Sequence, residues 1–264
     1  MKEQNKAVTV ILVLLMLAFA AMAAVGIGKL RQDRQERKEG KDTYAVLAET
    51  MVTVQQPEPE TEEETPLVQE HTKGFAPVAV DFDALTALNS QVAAWIRTED
   101  GVINYPVVRG TDNDYYLNHL IDGTVNRNGS IFMDFRNEAD FSDHNTVLYG
   151  HNMLDGTMFA SLSLYSTPGY YDSHRELQLL TPSGDYRLQV FAGCVVPGNS
   201  DLYQLTFTGE EDRAAYLEKI LVLSEFQTDV QVSVSDRLVT LSTCAYDYED
   251  ARYLLFCRLG AEQQ

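Results

Sequence analysis

Cysteine is scarce in this sequence: Cys194, Cys244 and Cys257 are the three that occur. Three thiols are too few for a disulfide framework and odd in number, so at least one stays free or pairs with another chain. There is no C-x-x-C pair and no His/Cys cluster, which argues against a zinc site. Positive charge is also short. Twenty Lys and Arg against 39 Asp and Glu give a formal net charge of -19. A nucleic-acid partner is excluded on that ground, since a polyanion would be repelled. No internal repeat is evident.

What is present suits one globular domain with additions: 45% of the 264 residues are hydrophobic and 22% charged. The N-terminus reads "MKEQNK" and then an uncharged, mostly apolar run from Ala7 to Gly28, long enough to span a bilayer as a helix. A cleaved signal peptide is the rival, with "AMA" before Ala24 as the cleavage site. The run is long for that, so residues 1–30 are expected to be a membrane anchor. The basic residues are awkward for orientation. Lys2 and Lys6 precede the run, whereas Lys29, Arg31, Arg34, Arg37, Lys38 and Lys41 follow it; taken literally, that places the large domain in the cytoplasm.

Residues 31–74 read as a spacer. "LRQDRQERKEGKDTYAVLAETM" suits a helix continuing out of the membrane, and "PEPETEEETP" (57–66) cannot bury enough surface to fold. The folded domain is expected over 75–264. In "DFDALTALNSQVAAWI" (81–96), Leu85, Leu88, Val92 and Ile96 recur at helical spacing, with Asp81 or Asp83 as a cap. Beyond Gly101 short apolar or alternating segments are punctuated by turns, and "TPSGD" (181–185) reads as a hairpin turn. "GEEDRAAYLEKILVLSEF" (209–226) is the one clear helix among them. The fold class is therefore mainly β, a barrel or sandwich with N-terminal helices and one inserted helix.

Candidate chemistry centres on "VTLSTCAYDYEDARYLLF" (239–256). Cys244 ends an apolar, β-branched run, so it can face a groove; the plainer alternative is a small buried hydrophobe. A cysteine reacts as its thiolate and needs a partner. Among the histidines, His151 in "NTVLYGHNM" follows an apolar strand and a glycine, the mirror placement of Cys244. Arg252 opens the next strand with a rigid fork of donors, suited to an oxyanion. By strand alternation Arg252, Leu254, Phe256 and Arg258 share one face and Tyr253, Leu255, Cys257 and Leu259 the other, so Cys257 points away from Arg252. Cys194 alternates with Leu188, Val190 and Ala192 and reads as core.

Taken together, "NYPVV", "DNDYYLNH", "GSIFMD", "NTVLYGHNM", "GTMF" and "TLSTC", followed by an arginine at the next strand start, resemble a sortase, a cysteine transpeptidase of Gram-positive cell surfaces, and class B above all. The resemblance runs from about Asp81 to Leu259. It implies a closed eight-stranded β-barrel with the inserted helix between strands 6 and 7. It also implies Cys244 as nucleophile, His151 as proton donor and Arg252 as transition-state stabiliser, with no metal or other cofactor. The implied partners are a surface protein carrying a C-terminal sorting signal of the [NS]PxT type, cut after Thr, and an amine of the peptidoglycan precursor that receives the acyl group from a thioacyl-enzyme. Residues lining the class B cleft fall on Asn113, Leu117, Tyr203 and Ser242. Gln204 follows Tyr203 where a class B relative has an aliphatic, which leaves Asn and Ser both open at the first motif position. The family's layout puts the catalytic domain outside the cell, against the basic-residue count. Class C members carry a D-P-aromatic lid; "PEPETEEETPLVQEHTKGF" has none, so an open groove is expected.

The order His then Cys is the reverse of papain-like proteases, and the "QAC" signature of caspases is absent. Two other functions fit parts of the pattern. One is a surface cysteine peptidase without transfer, with the same residues and a different acceptor. The other is a membrane-anchored β-domain that binds a cell-wall ligand, which has no need of Cys244, His151 and Arg252 together.

Overall fold

The computed structural model describes residues 2–55 and 75–263. The acidic run 57–66, His71 and most of the stretch read as lacking a lid lie outside the described residues. Helix α1 (Lys2–Met51) is one uninterrupted element of 50 residues. It includes a stretch long and apolar enough to cross a membrane, with Leu17, Phe19, Met22 and Val25 all exposed. Its last turns behave differently: Tyr44 and Leu47 are buried in the main core. The spacer reading of 31–74 therefore needs correcting for its first part, because residues ahead of Phe75 already pack on the domain. Directly after α1, β1 (Val52–Val54) pairs antiparallel with β2 (Val78–Val80), pinning both described sides of the 56–74 stretch together.

Helix α2 (Phe82–Leu88) is capped by Asp81, whose Oδ1 accepts from Ala84 N at 2.9 Å. The spacing of apolar residues predicts a helix through Ile96, but the helix stops at Leu88. Asn89 Oδ1 takes Gln91 N at 2.9 Å, its Nδ2 donates to Ile121 O at 2.7 Å, and β3 (Val92–Arg97) follows. The four middle residues of β3 are all buried. A strand covered on both faces reads as a continuous apolar run, and such a run satisfies helical spacing by coincidence.

The remaining strands are β4 (Asn104–Arg109), β5 (Ile131–Met133), β6 (Asn145–Tyr149), β7 (Glu176–Thr181), β8 (Gly184–Pro197), β9 (Leu238–Cys244) and β10 (Ala251–Gln263). With β3 they close into an eight-stranded barrel in the order β10-β8-β7-β3-β4-β5-β6-β9. The β7–β8 hairpin turns at 182–183, where Thr181 Oγ1 donates to Gly184 O at 2.8 Å. Two pairings are parallel, β4 with β5 and β6 with β9; the others are antiparallel. Between β8 and β9, the sixth and seventh barrel strands, lies the inserted helix, which we label α3 (Glu210–Leu223).

Two cores result. One fills the barrel. The other lies outside it, where Tyr216, Leu217 and Ile220 of α3 cover Phe191, Cys194, Leu254 and Phe256. A bulge in the β8–β10 ladder between Val190 and Ala192 switches the faces of β8. Leu188 and Val190 thus point into the barrel, whereas Ala192 and Cys194 point at α3. Cys194 is core, as its neighbours suggest, but not the core of Leu188. All three cysteines are unpaired.

Candidate active site

The parallel pairing of β6 with β9 builds the site. Its last partners are Tyr149 and Ser242. His151 and Cys244 each lie two residues further along, on the face of their own strand that carries Tyr149 and Ser242. Gly150 N donates to Ser242 O at 3.1 Å and Thr243 Oγ1 to Gly150 O at 2.8 Å, so the two chains stay zipped past the ladder. Gly150 has no room for a side chain: a Cβ there would lie 2.5 Å from Ile131 Cδ1. That is why a glycine precedes the histidine.

On the other side of β9, Arg252 is the direct antiparallel partner of Cys244. Side chains of direct partners stand on the same face, their Cβ atoms about 5 Å apart. The thiol therefore sits on the middle strand of three at the barrel rim, between an imidazole and a guanidinium. It is half-buried, while Cys194 and Cys257 are buried. Burial pushes the Cys194 thiol up to about 12, and the Cys257 thiol, wholly enclosed, is pushed up further.

His151 Nε2 lies 2.7 Å from the carbonyl oxygen of Leu117, at the end of the 3₁₀ turn Tyr115–Leu117. A carbonyl only accepts, so Nε2 carries the proton and Nδ1 is left for the thiol or substrate. Tyr203, in the 3₁₀ turn Asp201–Tyr203, has its hydroxyl 2.8 Å from Ser242 Oγ. Burial raises the Tyr203 phenol, against the pull of Ser242 and Arg252. Its ring stacks on Tyr149 at 6.1 Å. Tyr149 Oη donates to Asp134 Oδ2 at 2.9 Å, and Asn113 Nδ2 donates to the same oxygen at 3.0 Å. One chain of contacts thus runs from Asn113 through Asp134, Tyr149 and Tyr203 to Ser242, two residues before Cys244, while Leu117 separately holds His151. Asn113 has little left to offer a ligand, since its Oδ1 also accepts from Phe135 N at 3.1 Å. Among the described residues, no group of three or more His, Cys, Asp or Glu is placed to hold a metal ion.

The sortase domain family model matches residues 96–260. Sortase B of Staphylococcus aureus is 35% identical over 184 residues, covering 70% of this chain and 74% of that protein. Sortase B of Listeria monocytogenes is 38% identical over 175 residues, covering 65% and 70%. Among solved structures, a Staphylococcus aureus sortase B-substrate complex superposes with a TM-score of 0.66 at 34% identity, over 69% of this chain and 85% of that one. A Bacillus anthracis sortase B gives 0.71 at 31% identity, over 87% and 99%. The chain belongs to class B of the sortase family, the cysteine transpeptidases.

In this sortase several polar groups that sequence reasoning did not single out support the rim. Asn152, directly after His151, donates its Nδ2 to Cys244 O at 2.8 Å, and its own carbonyl accepts from Tyr246 Oη at 3.2 Å. Its position in "YGHN" was the available signal. Asp250 pairs with Arg252 Nη2 at 2.9 Å from a left-handed backbone, φ 60°. Asp134 is fully buried; burial alone would raise its carboxyl, but Arg136, Asn113 and Tyr149 together hold it below the usual carboxylate range. Nothing local in the sequence marks Asp134 as the hub, because two of its partners, Asn113 and Tyr149, come from separate segments.

Proposed function

We propose that this sortase cleaves a C-terminal sorting signal of the [NS]PxT type after Thr and transfers the protein to an amine of the cell-wall precursor. The observation that carries the reading is the rim order His151–Cys244–Arg252 across three hydrogen-bonded strands. Cys244 Sγ passes its proton to His151 Nδ1 and attacks the threonine carbonyl carbon, while the oxygen gathers charge beside the Arg252 fork, whose donors favour it as it becomes an oxyanion. The C–N bond breaks, and the leaving amine takes a proton from His151. A thioester between threonine and Cys244 remains. The acceptor amine attacks it, His151 takes the amine's proton, and the leaving thiolate recovers that proton from His151, which restores the starting pair. Tyr203, Leu117 and Ser242 line the groove for the signal, and the substrate complex of the Staphylococcus aureus relative supports that use of the cleft. The apolar stretch of α1 is the anchor, spanning the membrane once, with the barrel outside the cell.

The test is incubation with an NPQTN-type peptide with and without an amine acceptor, read by mass spectrometry. The expected product with amine is the acyl group joined to it, lost in Cys244→Ala. Turnover in Cys244→Ala would defeat the mechanism. Hydrolysis alone, whatever the amine, would favour the peptidase reading.

A further inference from the structure

The part of α1 nearest the barrel is held by specific polar contacts. Asn126 Nδ2 donates to Glu36 O at 2.8 Å and Asn128 Nδ2 to Arg37 O at 3.2 Å. Arg127 pairs with Asp33 at 2.8 Å. Tyr44 Oη donates to Gly129 O at 2.7 Å and lies 2.9 Å from Ser130 Oγ. Gly40 faces the same loop: a Cβ on it would lie 2.7 Å from Asn128 Nδ2 and 2.9 Å from Asn126 Oδ1.

Loop 126–130 in turn presses on the turn that holds the histidine. Ser130 N donates to Tyr116 O at 2.9 Å and Ser130 Oγ to His119 O at 2.9 Å. Gly129, at φ 58°, lies so close that a Cβ would sit 2.5 Å from Tyr116 O and 2.8 Å from Leu117 O. Leu117 O is the acceptor for His151 Nε2. The path from helix to imidazole thus runs through loop 126–130 to Tyr116, the residue bonded to Leu117.

We propose that residues 33–44 of α1 are a positioning element for His151: through loop 126–130 they set the Leu117 carbonyl, which fixes the tautomer and direction of the ring. The membrane helix is then part of the active-site scaffold. The inference rests on the proposed role of His151. A neutral imidazole freed from its acceptor can place its proton on either nitrogen and turn about its bond, and a misplacement near 1 Å is enough to cost roughly 10²-fold in rate.

The test uses the full chain in detergent, with Gly40→Ala to wedge the helix from the loop and Tyr44→Phe to delete one bond without a wedge. Gly28→Ala, where nothing lies within 4 Å, controls for helix propensity. The readouts are kcat and KM on a fluorogenic NPQTN-type peptide, melting temperature, and the imidazole nitrogen shifts of His151. Expected are a fall in kcat of about tenfold for Tyr44→Phe and more for Gly40→Ala, KM within about twofold, and loss of the single Nε2-protonated signal, with Gly28→Ala unchanged. Wild-type kcat with an intact single tautomer in Tyr44→Phe overturns the proposal, whether or not Gly40→Ala folds. So does a loss of kcat that tracks melting temperature while the tautomer signal stays intact. An active His151→Ala would instead defeat the role of His151 itself, which separates the two failures.

Discussion

Arg252 stands directly across the β9–β10 ladder from Cys244, with Nη2 held 2.9 Å from the Asp250 carboxylate and Nη1 3.0 Å from Ala251 O. These contacts aim a planar fork rather than a point charge. Arg252→Lys keeps the charge and loses the fork, so kcat should fall on the order of 10² or more, as for a lost oxyanion donor. Asp250→Asn removes only an exposed ion pair and should cost no more than about fivefold in kcat/KM. Steady-state kinetics on both variants decide this; a wild-type Arg252→Lys would make the arginine structural.

The three thiols should separate cleanly by reactivity. In native protein at pH 8, iodoacetamide should add one group, on Cys244, because burial keeps Cys194 and Cys257 protonated and enclosed. Denaturation should raise the count to three by intact mass. Cys194→Ser and Cys257→Ser should keep activity and lose about 1–3 kcal/mol of stability from a hydroxyl in a core. A second fast adduct in the native state would contradict the burial.

Alkaline stability follows from the same groups. Cys194 rises from about 9 to about 12 on folding, through burial first and the Glu225 charge second. A raised folded value means that the fold favours the protonated thiol. That stability is full below about pH 9 and is lost as pH climbs towards 12. Half-buried Tyr149 and buried Tyr253 are shifted in the same direction. Urea midpoints measured from pH 8 to 11 should fall, and fall less steeply in Cys194→Val. Identical slopes would show that Cys194 does not contribute.

The groove should prefer NPxT and SPxT peptides to LPxTG. Burying a proline against Leu117 and Tyr203 is worth about 1–3 kcal/mol, so replacing it should cost roughly 10- to 100-fold in kcat/KM. Tyr203→Phe keeps the ring stacked on Tyr149 and loses only the bond to Ser242. It should therefore be much milder than Tyr203→Ala. A peptide panel read by mass spectrometry tests both, and a strong LPxTG preference would overturn the substrate assignment.

For topology, protease added to intact protoplasts should digest the catalytic domain. Full protection would place it in the cytoplasm, where the six basic residues after the apolar run point by count.

Much of the rim was legible because strand ends are local features. Cys244 and His151 each close an apolar run, and alternation alone turned Cys257 away from Arg252. What alternation did not reveal was that β6 pairs in parallel with β9, roughly ninety residues later in the chain, and this brings the histidine to the thiol. The helix expected through Ile96 failed for a related reason: β3 is buried on both faces, and burial erased the period that marks a strand. The role of Asp134 was invisible because, Arg136 apart, its partners Asn113 and Tyr149 meet it only in space. The early start of the folded domain was hidden because Tyr44 and Leu47 sit in a stretch dominated by charge.

Helix α1 runs unbroken from the apolar stretch to Tyr44, and this has a consequence for cell-surface geometry. At 1.5 Å per residue it climbs about 24 Å between Gly28 and Tyr44. With the stretch inserted in a bilayer, the barrel is a flag on a rigid pole, fixed in both altitude and compass bearing. Inserting one residue between Gly28 and Asp33 turns the flag by about 100° and raises it little; inserting seven restores the bearing to within about 20° and raises it about 10 Å. Under the proposed anchoring, a donor protein and its acceptor amine would have to meet the cleft at that height and from that side, so the length of this helix would set where the enzyme can work.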